Sequence, residues 1–111
     1  MSGGGGGGYG PSRASDDCDI VERTPLNSVQ ATAAAHVVVG TRLDVEVVQQ
    51  NGRPVLVAKF PPNVHGGAIV GSLTPPSLAD LLQCIAKGRF YVAEVVEIQP
   101  GALIRVEIRP R

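Results

Sequence analysis

The stretch LDVEVVQQNGRPVLVAKF, residues 43–60, contains two alternating runs of apolar and polar residues that meet at Asn51-Gly52. Asn-Gly is the dipeptide preferred in a type I′ turn, whose twist matches that of two antiparallel strands. The stretch therefore predicts a β-hairpin in which Gln50 lies opposite Arg53. This register gives an apolar face and a charged pair: Leu43, Val45 and Val47 lie opposite Phe60, Ala58 and Leu56, and Asp44 lies opposite Lys59.

The C-terminal stretch FYVAEVVEIQPGALIRVEIRP predicts a second hairpin, with a type II turn at Pro100-Gly101. Its pattern allows two registers. A two-residue connection sets Glu94 opposite Glu107, whereas a shift by one residue sets Glu97 opposite Arg105. The shift also aligns Ile98 with Ile104 and Val96 with Val106. We favour the shifted register, produced by a β-bulge, because it pairs opposite charges.

A single main helix is predicted at about residues 77–87, within the stretch GSLTPPSLADLLQCIAKG. Its apolar residues recur at the spacing of one helix face: Leu78, Leu81, Leu82 and Ile85. Ser77 is the predicted N-cap, and Gly88 ends the helix. The helix N-terminus is a potential anion site, but Asp80 places a carboxylate in the first turn, so capping is the favoured role of this corner.

The remaining segments complete a mainly β fold. DIVERTPL predicts a first strand that stops at Pro25, residues 28–36 predict a short helix capped by Ser28, and AIVGSL predicts a further strand. The chain is therefore expected to form a small curled antiparallel sheet or barrel of about six strands, sealed at one end by the main helix.

Composition limits the chain to one small domain and a tail. The chain has 111 residues and a formal net charge of +0, so no overall field attracts a polyanion or a membrane. Residues 1–17 are rich in glycine and predict a disordered tail, and residues 18–111 predict a single β-rich domain. Because no stretch is typical of a signal peptide or a membrane span, a cytoplasmic location is expected.

The cysteines and histidines predict no metal site and no cofactor. Cys18 and Cys84 are too few and too far apart to indicate a disulfide framework, and Cys84 is interpreted as a small buried apolar group. Together with His36 and His65 they lack the close ligand pair that zinc sites usually contain. His65, beside two glycines, is interpreted as a solvated loop residue.

One family resemblance emerges from several segments taken together: VVVGTRLDVEV, PVLVA, IVGSL followed by LLQCIAKG, and YVAEVVEI. Over about residues 37–109, this pattern resembles the HIRAN domain, a small β-barrel found alone and in DNA-remodelling enzymes. The resemblance implies recognition of single-stranded DNA ends in an aromatic and polar pocket. The hairpin loop QQNGR departs from the Asn- and Asp-containing loop of that family, and no ligand residue carries over to this chain.

Two binding hypotheses follow, and no constellation of acid, base or nucleophile supports an enzyme. The favoured hypothesis is a module that contacts an unidentified protein through a sheet face or the apolar rim near Val55 and Val57. The alternative is a module that binds single-stranded nucleic acid through an aromatic residue among basic ones. The candidate residues for that alternative are Arg89, Tyr91, Arg105 and Arg109.

Overall fold

The computed structural model describes residues 17–100 and 103–111. They form β1 (Glu22–Asn27), α1 (Ala31–Ala34), β2 (Arg42–Gln50), β3 (Arg53–Lys59), β4 (Ile69–Leu73), α2 (Leu78–Ala86), β5 (Tyr91–Gln99) and β6 (Leu103–Pro110), with a turn of 3₁₀-helix at His65–Gly67. The mainly β architecture with one main helix agrees with the prediction. The predicted disordered tail lies almost wholly outside the described residues.

All six strands pair antiparallel in one sheet, in the order β1-β4-β3-β2-β5-β6. β1 pairs with β4 on one side and with β6 on the other, so the sheet closes into a ring. Side chains that alternate inward along the strands fill the interior; among the largest are Leu43, Leu56, Leu73, Tyr91 and Ile108. Closure therefore depends on β1, which enters between two strands that are distant in sequence.

The β2–β3 hairpin has the predicted turn and register. Asn51 and Gly52 have φ of 51° and 77°, as a type I′ turn requires, and Gln50 lies opposite Arg53. The predicted charge pair is wrong in one respect. Lys59 lies opposite Asp44 in the ladder, but its Nζ is 3.4 Å from Glu46 Oε1. The long side chain reaches the diagonal neighbour on β2, two residues beyond its direct partner.

The C-terminal hairpin combines both of the registers considered. Glu94 lies opposite Glu107, and after an irregularity at Val96 Glu97 lies opposite Arg105. Val96 is therefore the bulged residue, and the predicted shift holds only on the turn side of it. Val106 pairs with Val95 and not with Val96, so that part of the prediction is wrong. The inward-facing residues of this hairpin are buried and include Val95, Ile104, Val106 and Ile108. The predicted turn at Pro100-Gly101 lies partly outside the described residues.

The first strand and the first helix differ from their predicted bounds. β1 continues through Pro25 to Asn27, because Pro25 lies where the strand passes from its partner β6 to its partner β4. Ser28 has a φ of 50° and is not a helix cap. The helix α1 begins later, at Ala31, and has only four residues.

Gly71 allows β1 to approach β4 closely. A Cβ atom at this position would lie 2.8 Å from the backbone oxygen of Asn27 and 3.3 Å from the Cβ of Leu26. The first distance is shorter than any normal contact, and the obstructing atom belongs to the backbone. The pairing that closes the ring therefore requires a glycine here.

The helix α2 covers one end of the ring with the predicted apolar face. Leu81 is fully buried, and Leu78, Leu82 and Ile85 pack against the core. Ser77 is the N-cap as predicted, but its side chain caps no helix amide. Instead, the Ser77 backbone N–H donates to Glu22 Oε1 at 3.0 Å and its hydroxyl donates to Glu22 Oε2 at 2.5 Å. A carboxylate of β1 thus occupies the corner considered as an anion site.

Cys18 and Cys84 form a disulfide, although their spacing gave no indication of one. The two residues are 66 positions apart, but α2 packs where the chain enters β1, and this brings them together. Cys84 is buried, as interpreted, but as half of a covalent bond. The disulfide, with the Glu22–Ser77 hydrogen bonds, attaches the beginning of the closing strand to α2.

We expect the substitution Gly71→Ala to lower the free energy of unfolding by about 1 to 3 kcal/mol, since it overpacks a site walled by backbone. The loss should be accompanied by faster amide hydrogen exchange in β1 and β4. Chemical denaturation and exchange monitored by NMR would measure both effects.

Gly52→Asn is the comparison variant, because no heavy atom lies within 4 Å of a Cβ at Gly52. Its φ of 77° strains any side chain, although asparagine is among the residues that tolerate it, so a loss of stability should come from the β2–β3 turn and should not accelerate exchange selectively in β1 and β4. Equal stability of Gly71→Ala and the wild-type protein would contradict the close approach described for β1 and β4.

Candidate functional site

Tyr91 does not lie on the surface where the nucleic-acid hypothesis requires it. Its side chain is 1% exposed and points into the ring, and its hydroxyl donates a hydrogen bond of 2.5 Å to the backbone oxygen of Cys18. A base cannot stack on a ring in that position. A sequence signal for this orientation was present: Glu94 must face water, and residues 91, 93 and 95 then alternate to the inside.

Arg109 lies between two carboxylates on the outer face of the sheet. Its Nη2 atom is 2.5 Å from Glu94 Oε1, and its Nη1 atom is 3.5 Å from Glu107 Oε1. Glu94 and Glu107 are directly opposite each other on β5 and β6, so the guanidinium relieves a like-charge contact. The hydrogen bond from Arg109 lowers the pKa of Glu94, and the same bond raises the pKa of Arg109.

The ion pairs continue from β5 and β6 to both neighbouring strands. Arg23 on β1 lies 3.5 Å from Glu107, and Arg42 on β2 lies 3.8 Å from Glu94. The resulting row crosses β1, β6, β5 and β2, and we call it the ion-pair row: Arg23, Glu107, Arg109, Glu94 and Arg42. Arg105 is also paired, with its Nε 3.2 Å from Glu97 Oε1. Two of the candidate nucleic-acid residues, Arg105 and Arg109, are thus neutralised by adjacent carboxylates.

A different aromatic residue is exposed beside arginines. Phe90 is 69% exposed and precedes β5, and the guanidinium carbon of Arg111 lies 5.8 Å from the centre of its ring. Arg89 lies next to Phe90 in the chain and helps to line the same shallow cavity, which has a volume of about 300 Å³. Arg111 is also 3.8 Å from Asp44. We call Arg89, Phe90 and Arg111 the Phe90 surface.

An apolar groove lies between α2 and the β2–β3 hairpin. Its volume is about 400 Å³, and its walls contain Val47, Gln49, Pro54, Leu82, Gln83, Ile85 and Ala86. These side chains carry no formal charge. Val47 and Ile85 also line the cavity beside Phe90, so the groove and the Phe90 surface adjoin along α2.

The predicted apolar rim near Val55 and Val57 is largely closed. Val57 is 2% exposed and Val55 is half-buried, so neither forms a broad accessible surface. The groove uses Pro54, the residue before Val55, and otherwise depends on the helix. The sequence did not reveal this groove, since the packing of α2 on β2 brings its walls together.

His36 and His65 stack on each other at the other side of the molecule. Their ring centres are 3.8 Å apart, and the edge of Phe60 contacts His65 at 4.8 Å. His65 is exposed, as interpreted from the sequence, but it is packed against two rings. A cavity of about 630 Å³ adjoins the stack, and its walls contain neither an acidic side chain nor a cysteine: Gln30, Thr32, Ala33, His36, Gln50, His65, Gly67, Ala68 and Ile69.

Within residues 17–100 and 103–111, no group of three or more His, Cys, Asp or Glu side chains is placed to hold a metal ion. Neither of the described helices has the length and apolar character needed to cross a membrane.

Comparisons with protein-family models, with curated proteins and with solved structures find no match for this chain. The resemblance to the HIRAN domain therefore stays a prediction from the sequence. The functional proposals are therefore based on the geometry of the groove and of the Phe90 surface.

We expect Arg109→Gln to raise the pKa of Glu94 toward its ordinary value of 4.5, because the principal hydrogen bond that lowers this pKa is removed. A carboxylate whose pKa is lowered by folding stabilises the folded state at pH values above its unfolded-state pKa. This stabilisation is lost as the pH falls through the folded-state pKa. The variant should therefore be less stable than the wild type at neutral pH, and the difference should shrink in acid.

NMR titration of the Glu94 carboxyl carbon would measure the change in pKa, and denaturation at several pH values would measure the change in stability. Arg105→Gln is the control, because Arg105 pairs with Glu97 and should leave the Glu94 titration unchanged. An unchanged Glu94 pKa in Arg109→Gln would contradict the role assigned to Arg109.

Proposed function

We propose that this chain is a non-enzymatic binding module that contacts another protein through the apolar groove beside α2. The observation that carries the proposal is the groove itself, in which Val47, Leu82 and Ile85 leave a concave apolar surface without a formal charge. Concave apolar surfaces of this kind are typical of sites that receive an apolar side chain from a partner.

The distribution of charge supports a protein partner over a polyanion. On the outer face, the arginines of the ion-pair row and Arg105 are already paired with carboxylates. That face therefore offers phosphate groups few unpaired cations. Each described strand has a neighbour on both sides, and edges are unpaired only where a ladder is short, as at residues 53–56 of β3 and 45–50 of β2, so the proposal is based on side-chain contacts and not on an added strand.

An enzymatic role is not part of the proposal. The histidines have no acidic partner in the cavity beside them, and both cysteines are consumed in a disulfide. A nucleophile with an adjacent base would be an arrangement that supports catalysis. Among the described residues, the cavity that contains the carboxylates of Asp17 and Asp80 has Cys84 on its wall, and the sulfur of Cys84 is held in the disulfide.

Substitutions at two exposed alanines of α2 test the role of the groove. Ala86 lines the groove, and Ala79 is exposed on the same helix outside it. With a photo-activatable amino acid at Gln49, on the groove wall, we expect defined crosslinked protein adducts in cells. Ala86→Arg should reduce their yield about tenfold by blocking the groove, whereas Ala79→Arg should leave it unchanged. Adducts that are insensitive to Ala86→Arg, or no adducts at all, would overturn the proposal.

A HIRAN-like module that binds single-stranded nucleic acid is the second candidate, and the exposed ring of Phe90 favours it. An aromatic ring with arginines on either side can stack on a base and contact the backbone. In this candidate Phe90 takes the role that the sequence analysis gave to Tyr91, because Phe90 is exposed and Tyr91 is buried, and Arg89 is kept.

Binding of labelled single-stranded oligonucleotides at roughly 50 and 200 mM salt tests this candidate. Affinity should fall steeply with salt, and Phe90→Ala should weaken binding about tenfold, a typical loss for one stacked base. Ile98→Ala is the control, since Ile98 is also an exposed apolar residue but lies near the far hairpin turn. Flat titrations at both salt concentrations would exclude this function.

The proposed location of the module is the cytoplasm. In that compartment, permanent disulfides are rare, and those that form are usually transient. The Cys18–Cys84 bond would then be present in only part of the molecules. Alkylation of free thiols in intact cells, followed by separation of the reduced and oxidised forms, would test this location. A chain that is fully oxidised in growing cells would contradict it.

A further inference from the structure

We infer that the Cys18–Cys84 disulfide is a redox-sensitive lock on the closing strand of the ring, opened by a dithiol reductant. The inference concerns the attachment of β1, and it stands whether or not the groove binds a protein. It follows from the position of the bond, from the other contacts of β1 and from access to Cys84.

The bond lies just before β1, the strand that has the shortest ladder in the ring. β1 pairs with β4 through only two residue pairs, Leu26 with Leu73 and Asn27 with Ser72, whereas β2 and β3 share seven. Four residues before β1, Cys18 fixes the incoming chain to the second turn of α2. A strand with a short ladder is a low-stability element, so a covalent attachment just before that strand has a large effect on it.

The other attachments of this segment are non-covalent. Tyr91 donates a hydrogen bond to the backbone oxygen of Cys18, and Glu22 accepts two from Ser77. The residues between these attachments are partly solvated, with Val21 59% exposed. Without the disulfide, residues 17–21 are therefore held by a few hydrogen bonds and by the packing of Ile20 and Cys18 against the core, and we expect them to separate from α2 while the β2–β3 hairpin stays folded.

A polar cavity gives access to one side of the bond. Its volume is about 370 Å³, and its walls contain Asp17, Asp80, Gln83, Cys84 and Lys87. Cys84 is 3% exposed and forms part of this wall, and Cys18 does not, so we assign Cys84 as the residue that an incoming thiolate attacks. Asp17 and Asp80 outnumber Lys87 on the wall, and this net negative charge disfavours glutathione, which carries negative charge besides that of its thiolate, more than a dithiol without other charged groups.

The reaction is a thiol–disulfide exchange. A thiolate of the dithiol attacks the sulfur of Cys84, forms a mixed disulfide and displaces Cys18 as a thiolate, which takes a proton from water. The second thiol of the reductant then loses its proton and attacks the reductant's other sulfur, which is bonded to Cys84 in the mixed disulfide. This attack releases Cys84 as a thiolate, which is then protonated. The dithiol leaves oxidised as a cyclic disulfide, and the protein gains two thiols.

Amide hydrogen exchange of the full chain, before and after reduction by dithiothreitol, tests the lock. We expect reduction to accelerate exchange in β1 and in the first turns of α2 by about tenfold or more, with little change in the β2–β3 hairpin. The double variant Cys18→Ser/Cys84→Ser is the control, since it should show the fast exchange at the outset and no response to dithiothreitol.

A second variant tests the same lock without removing a cysteine. Tyr91→Phe deletes the hydrogen bond to the backbone oxygen of Cys18, and we expect dithiothreitol to reduce this variant about tenfold faster than the wild type. Three results would overturn the inference: a disulfide that dithiothreitol cannot reduce in the folded protein, exchange in β1 that is the same before and after reduction, or exchange that rises equally in every strand.

Discussion

Insertion of β1 between β4 and β6 is the constraint on which the rest of the structure depends. Two pairs with β4 and four with β6 are the whole ladder that this strand contributes, and Gly71 is required for the shorter one. A ladder of this length holds weakly by itself. The contacts that secure it lie just outside it: the disulfide of Cys18, the carboxylate of Glu22 at the N-terminus of α2, and the hydrogen bond from Tyr91. Helix and ring are thus joined at the entry to β1.

Closure of the ring also decides what the surface can do. Each described strand has a neighbour on both sides, so unpaired backbone edges occur only where a ladder is short. Most of the accessible surface therefore consists of side chains on the outer face and at the ends of the ring. On β1, β6, β5 and β2 the outer face carries the ion-pair row, in which three arginines share two carboxylates. Outside that row lie the cavity beside His36 and His65, the groove and the Phe90 surface, and the last two adjoin α2, the element that the closing strand holds in place.

Elements fixed by nearby residues were predictable from the sequence, and contacts between distant segments were not. The Asn51-Gly52 turn, the register of its hairpin and the apolar face of α2 depend on residues that are close in sequence. The pattern of residue types was therefore sufficient to predict them. The disulfide, the Glu22–Ser77 contact and the groove depend on where α2 packs, which no local pattern encodes. Tyr91 is an intermediate case. Its inward orientation follows from alternation with Glu94, but Arg89, two residues earlier in the same alternation, suggested a surface role that the ring geometry does not allow.

The bulge at Val96 decides which charges on the outer face are paired. In an unbroken continuation of the Glu94–Glu107 register, Arg105 would lie opposite Val96, and Glu97 would lie opposite the buried Ile104. The extra residue moves Glu97 opposite Arg105, while on the other side of the bulge Glu94 and Glu107 are shared by Arg109, Arg23 and Arg42. The pairing of charge therefore depends on register and not on composition alone. A surface whose arginines are paired in this way exerts little long-range attraction on a polyanion, so both proposed modes of binding depend on short-range contacts, at the groove or at Phe90.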